Sequence, residues 1–382
     1  MEAFFCKTKL VCGSGSVAAL GQLGCKRLFL VTEPALAQGV AGQLVINAAK
    51  CSKVEIFAKE EPEATAALAE AGAARLRSFQ PDLVAALGCG STLSCAKAMV
   101  WLGQGTYSFA AIPTTSGSGT EMTDSALLRH GKRWHPIAHP RMQPDLAILD
   151  SDLLQQLPKQ QVAQGGFEVL GNSLEAYVSR RSGAMTDLLA REAFCSAFGA
   201  LPASFAGNTA VRLKIHQAAA MAGMAYCHGG LGLCQALARS LSGLFSVPMG
   251  ALMAIVLPSV IDCNAHVAGK KYAELARAAG IGGSGETIAL QNLKSGLRRL
   301  RRELNLPETL AQAGIEPRTV WCSAGKITEA VLADPCCRDN PMPVEDFLIR
   351  RILEEVTGHY RTDRRRIQTG GVSWYEPIYR AQ

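Results

Sequence analysis

The chain has 382 residues, 48% of them hydrophobic and 19% charged, and a net charge of +7 at neutral pH. That length supports two domains and a large core, and that composition excludes a disordered chain. No stretch supplies the roughly 18 uninterrupted apolar residues of a membrane span, and residues 1–10 lack the apolar run of a signal peptide, so a cytoplasmic protein is expected.

Residues 1–152 alternate strand-like and helix-like pieces. Arg27–Thr32 reads as a strand, 34–49 as a helix, Lys53–Ala58 as a strand, 63–79 as an alanine-rich helix and 82–87 as a third strand. Repeated β-α units of this length predict a parallel sheet covered on both faces. Glu33 stands at the carboxyl end of the first of these strands. There an acid can accept hydrogen bonds from an adenosine ribose and repel a 2′-phosphate; a merely solvated loop glutamate is the plainer alternative.

The apolar run 83–87 ends in Gly88-Cys89-Gly90-Ser91 and passes into a helical segment, 92–102. Glycine lets the backbone come close to a ligand, and the free N–H groups of a helix start attract anions. A second apolar run, 109–112, ends in a loop of hydroxyl and glycine residues, 114–120. One such loop is usually a plain connection, whereas two after neighbouring strands point to two edges of one nucleotide site. A short strand, 147–149, closes this half before Asp150.

After residue 152 the texture turns helical, with segments 155–182, 184–205, 210–226, 231–245, 251–263, 287–303 and 343–356, and a glycine loop at 280–285. A helical domain over 153–358 follows, its boundary near 151–158. Residues 359–382 carry five arginines against two acids. Their basic run, RTDRRR at 361–366, has no interleaved aromatics, so this reads as a solvated basic tail rather than a nucleic-acid contact. The thirteen cysteines are scattered and odd in number, with no repeated CxxC spacing. Free, mostly buried thiols are expected rather than disulfides.

Six ordered blocks carry a resemblance to a known family. GCGSTLSCAKAM, IPTTSGSGTEMT, PDLAILDSDLLQQLP, GFEVLGNSLEAY, GLCQALARSLSGLFSVPMG and ADPCCRDNP resemble the blocks of the iron-containing (group III) alcohol dehydrogenases, over about residues 7–356. The resemblance implies the dehydroquinate-synthase-like fold: an N-terminal dinucleotide-binding α/β domain with a parallel sheet, an all-α C-terminal domain, and a cleft between them. It also implies oxidation of alcohols or reduction of aldehydes with NAD(H) or NADP(H), usually assisted by iron or zinc, commonly in a dimer. Gly88, Gly90 and Ser91 match the family's pyrophosphate loop, and Thr114, Thr115 and Ser118 its second loop. Glu33 falls where members hold an acid beside the ribose, which favours NAD over NADP. Ser94 replaces the usual aspartate of the first loop. The family's cofactor-side lysine aligns with Trp134 if HPI is kept in register, with Lys132 as the nearby substitute.

The family's metal ligands, one aspartate and three histidines, match Glu168, Asn172, Gln235 and Met249. Glu168 and Asn172 keep i,i+4 spacing on one helix face. Iron and zinc want imidazole nitrogen or carboxylate oxygen, and amides with a thioether are poor replacements. No iron or zinc is expected. A further family histidine beside the nicotinamide aligns with Arg239, one turn beyond Gln235. Its guanidinium is suited to clamping an anion or stabilising an alkoxide, or else pairs with Glu168 in the gap left by the ion. His228 is a proton donor or a satisfied core histidine, and Glu175 a structural partner of a neighbouring helix.

Two readings follow. In the first, the protein is a metal-independent NAD(P)-linked oxidoreductase of a small aldehyde or alcohol, anionic ones included, with aldehyde reduction the easier direction and Arg239, Asn172 and Gln235 polarising the carbonyl. In the second, it is an inactive relative acting as a dinucleotide-binding or scaffolding subunit. Neither reading involves nucleic acid or a membrane.

Overall fold

The computed structural model describes residues 4–358, so the basic tail lies outside the described residues. A six-stranded sheet organises the first half in the order β1-β8-β5-β4-β2-β3, with every neighbouring pair parallel. The strands are β1 Lys9–Cys12, β2 Arg27–Thr32, β3 Lys53–Ala58, β4 Leu83–Gly88, β5 Ser108–Pro113 and β8 Leu146–Leu149. β4 (LVAALG) is buried throughout, as a strand covered on both faces should be. Side chains alternate between two apolar clusters. Phe29, Val31, Val84 and Ala86 join one, while Leu28, Leu30, Leu83 and Ala85 join the other.

Gly39 divides the expected first helix into α1 Pro34–Gln38 and α2 Val40–Ala49. α3 Ala66–Phe79 and α4 Gly90–Gly103 cover the sheet, and α4 starts two residues before its expected beginning. Between β5 and β8 an antiparallel hairpin, β6 Ser125–His130 and β7 Arg133–Ala138, turns at Gly131. The alternation there is faint because most of β7 is exposed.

The helical half consists of α5 Lys159–Val178, α6 Ala184–Phe205, α7 Arg212–Gly229, α8 Leu233–Phe245, α9 Met249–Ala278, α10 Glu286–Glu303, α11 Pro317–Ala333 and α12 Asp346–Thr357. One continuous core unites them. α9 is apolar and long enough to cross a membrane by length and composition, yet 78% of its most apolar stretch is buried in this half, as in a core helix. Met249 opens α9 rather than sitting in a turn.

The expectation of free thiols is corrected at one place. Cys25 and Cys51 are bonded to each other, their Cα atoms 5.6 Å apart. β2 and β3 are parallel neighbours, so the loops entering them from the same edge bring the two thiols together. Nor are the free thiols mostly buried: Cys95, Cys234 and Cys263 are, whereas Cys6, Cys12 and Cys322 are exposed.

Candidate active site

The carboxyl ends of β4 and β5 deliver the two glycine-rich loops to one cleft of about 290 Å³, lined by Gly90, Ser91, Thr115 and Ser118 among others. The first turn of α4 has neither a capping side chain nor an acid, so its backbone N–H groups are left for an anion. A Cβ on Gly90 would lie 2.7 Å from Ser118 Oγ, so glycine is what lets the loops meet. Gly88 and Thr114 stand behind this surface, where the Thr114 N–H donates to the Gly88 carbonyl at 3.0 Å. Glu33, at the end of β2, faces the same loop. Its Oε1 accepts from Thr92 Oγ1 at 2.6 Å and from Cys89 Sγ at 3.3 Å. Burial and the Glu33 charge raise the Cys89 pKa, which keeps it a thiol. A phosphate cradle with a carboxylate at its side fits the pyrophosphate and ribose of a dinucleotide.

The second loop is fastened from beneath by Lys97. The fully buried ammonium donates to Thr120 Oγ1 (3.2 Å), Thr123 O (2.7 Å), Thr123 Oγ1 (2.8 Å), Ser125 O (2.9 Å) and the Thr120 carbonyl. Burial pulls its pKa down to about 7. Ser94 lines the cleft and accepts from the Leu127 N–H at 3.3 Å, tying α4 to the hairpin.

The opposite wall comes from the helical half. Glu168, Asn172, Gln235, Arg239 and Met249 all line the same cleft, so the structure brings together every position that the family resemblance singled out there. Glu168 Oε2 rests against Gly117, where a Cβ would come within 2.3 Å of it. Burial raises the Glu168 pKa to about 7, and no cation among the described residues pairs with it. Asn172 Oδ1 is buried without a hydrogen-bond partner. Gln235 Nε2 lies 4.0 Å from Met249 Sδ. Among the described residues no group of three or more His, Cys, Asp or Glu is arranged to hold a metal ion. One carboxyl, two amides and a thioether do not fit iron or zinc.

Arg239 reaches this wall but does not pair with Glu168. Its Nη1 lies 2.7 and 3.0 Å from the two carboxylate oxygens of Asp334, and both side chains are less than a tenth exposed. Lys132 is exposed in the hairpin turn and borders a neighbouring groove; Trp134 lines the cleft instead. Lys132 belongs to the turn at Gly131, whereas Trp134 is carried by the strand 133–138. His228 lies outside the cleft, where Nε2 accepts from the Phe5 N–H at 3.1 Å and the ring packs against Phe4 at a tilt of 30°. Glu175 accepts from the backbone N–H groups of Gly232, Cys234 and Gln235 and so caps α8. Tyr226, which no motif flagged, also lines the cleft and donates to the Ser118 carbonyl at 2.8 Å.

Comparison with known proteins agrees with this arrangement. Residues 7–151 match the family described as iron-containing alcohol dehydrogenase, and residues 162–357 match its C-terminal counterpart. The chain is 34% identical to a 1-propanol dehydrogenase, PduQ, of Salmonella typhimurium, over 93% of this chain and 100% of that protein. It superposes on the iron-containing alcohol dehydrogenase of Thermococcus thioreducens with a TM-score of 0.86 and 26% identity, covering 94% of this chain and 100% of that one. The fold also matches a sulfoacetaldehyde reductase of Bifidobacterium kashiwanohense solved with NAD+ (TM-score 0.84, 20% identity, 94% and 99% coverage).

Proposed function

The chain belongs to the iron-containing alcohol dehydrogenase family, and from that premise we propose that it interconverts a small alcohol and aldehyde with NAD(H), without a metal ion and most readily toward the alcohol. The oxidoreduction of alcohols and aldehydes follows from the family. The observation that carries the finer reading is Glu168, a carboxyl with no cation paired to it, sharing the cleft that holds both glycine loops with the neutral side chains of Asn172, Gln235 and Met249.

The cofactor, when bound, supplies the hydride from the nicotinamide. The α4 N-terminus holds its pyrophosphate, and Glu33 takes the adenosine ribose while repelling a 2′-phosphate, which selects NAD. Burial raises the Glu168 pKa to about 7, so a protonated form is present at neutral pH to deliver its proton from Oε to the carbonyl oxygen as negative charge grows there. Asn172 and Gln235 bring amide N–H donors to the same oxygen. Arg239, its charge shared with Asp334, adds less than an unpaired guanidinium would. Without a metal ion to lower its proton affinity an alcohol gives up its proton reluctantly, so reduction is the easier direction.

The test is turnover of propanal and NADH by metal-stripped protein. Reduction that added Fe²⁺ or Zn²⁺ leaves unchanged supports the reading. Activity that appears only once either ion is added overturns metal independence.

A further inference from the structure

A second groove of about 490 Å³ adjoins the cleft, and Trp134, Pro136 and Arg239 form a wall common to both. Its floor is apolar, made by Ala236, Leu244 and Phe245 of α8 with Ala330 and Ala333 of α11. Cationic side chains line it as well: Lys132 and Arg133 of the hairpin and Lys326 of α11. Asp334 is the carboxylate in this lining, and Arg239 neutralises it. Arg133 pairs outward with Glu329 at 2.9 Å. Lys132 and Lys326 have no acidic partner among the described residues. An apolar floor under unpaired ammonium groups suits a short carbon chain that ends in an oxyanion. The groove meets the reaction site at Trp134, Pro136 and Arg239, whose side chains line both cavities.

We propose that this groove is an oxyanion subsite for the far end of the substrate, so that the preferred aldehydes carry a carboxylate or phosphate remote from the carbonyl. The inference rests on reading the first cleft as the catalytic one. It adds a ligand chemistry that the glycine loops and the family do not specify.

The test compares kcat/KM for 4-oxobutanoate and butanal, equal in carbon number and different in the terminal carboxylate. Wild type should favour 4-oxobutanoate. Lys326→Ala should shrink that preference about threefold to fivefold, as removal of one exposed charge contact does, and Lys326→Glu should shrink it further. A control, Lys214→Ala/Lys270→Ala, removes two exposed lysines that line neither cavity and should keep the preference. A wild type that does not discriminate, or a preference untouched by the Lys326 variants, overturns the proposal. If neither aldehyde turns over, the catalytic reading fails and calorimetric titration with succinate decides the subsite. Binding weakened by Lys326→Glu sustains it, and absent or undiminished binding ends it. Inorganic phosphate that binds in the groove without competing with 4-oxobutanoate would mark a site for a separate anion and overturn the substrate role.

Discussion

A carboxyl group enclosed by protein and left without a cation holds its proton past the usual range, and Glu168 is such a group, its pKa raised to about 7. Reduction consumes the protonated form, so its rate should fall as pH rises through about 7, while alcohol oxidation should rise over the same interval. Glu168→Gln should flatten both profiles and lower the reduction rate about 100-fold, the usual contribution of a positioned general acid. Steady-state rates across pH check this, and a wild-type profile flat through neutrality would remove Glu168 from the proton path. Lys97 gives a second prediction at this scale. Lys97→Met would leave the Thr120, Thr123 and Ser125 acceptors without their donor. Urea unfolding should show a loss of about 2–4 kcal/mol, as expected for several buried acceptors left unmet. Short-range spacing made the glycine loops readable, and the family resemblance located the substituted ligand positions. The true partner of Arg239 was not readable, since Asp334 lies 95 residues away and meets it only after α8 and α11 pack. Tyr226 escaped notice for a similar reason, its acceptor being 108 residues distant.

Whole elements were legible where they are long and buried. α6 runs over 184–205 as its pattern predicts. α9 runs past the expected end at 263, straight through Pro258, because tertiary burial outweighs the local cost of proline. α11 carries buried Val320, Ala324, Ile327 and Val331 at helical spacing, a pattern left unread between more obvious blocks. The β6–β7 hairpin has a weak signature, since its outer strand is exposed and contains Pro136. α8 is the element on which the helical wall of the cleft depends, and Glu175 fixes its start. Glu175→Ala should cost about 2–4 kcal/mol of stability, because three buried N–H groups lose one acceptor. It should also loosen Gln235 and Arg239, seen as a fall in kcat greater than any change in NADH affinity. Gly90→Ala tests the other wall: a methyl group pressed on Ser118 should weaken NADH binding roughly tenfold, for a local clash of 1–2 kcal/mol. Fluorescence titration reads that affinity, and thermal unfolding in the absence of NADH should show the same clash as a loss of about 1–2 kcal/mol.

At the scale of the molecule, the two halves each supply one wall, so a ligand spanning the cleft should stabilise both together. NADH at about 100 times its dissociation constant should add about 2.7 kcal/mol to the unfolding free energy, whereas Fe²⁺ or Zn²⁺ should add nothing measurable. Thermal unfolding with each addition, beside elemental analysis of the purified protein, checks the pair. A tightly held iron or zinc atom would show that the donor set at Glu168, Asn172, Gln235 and Met249 had been misjudged. The sheet carries a further consequence. β1 is an edge strand whose sheet neighbour is β8, 137 positions later in the register. During synthesis the opening segment therefore has to wait, unzipped, while the ribosome makes nearly two-fifths of the polypeptide. Stalled nascent chains released before residue 146 should leave that segment open to proteases, and those released after residue 149 should begin to shield it.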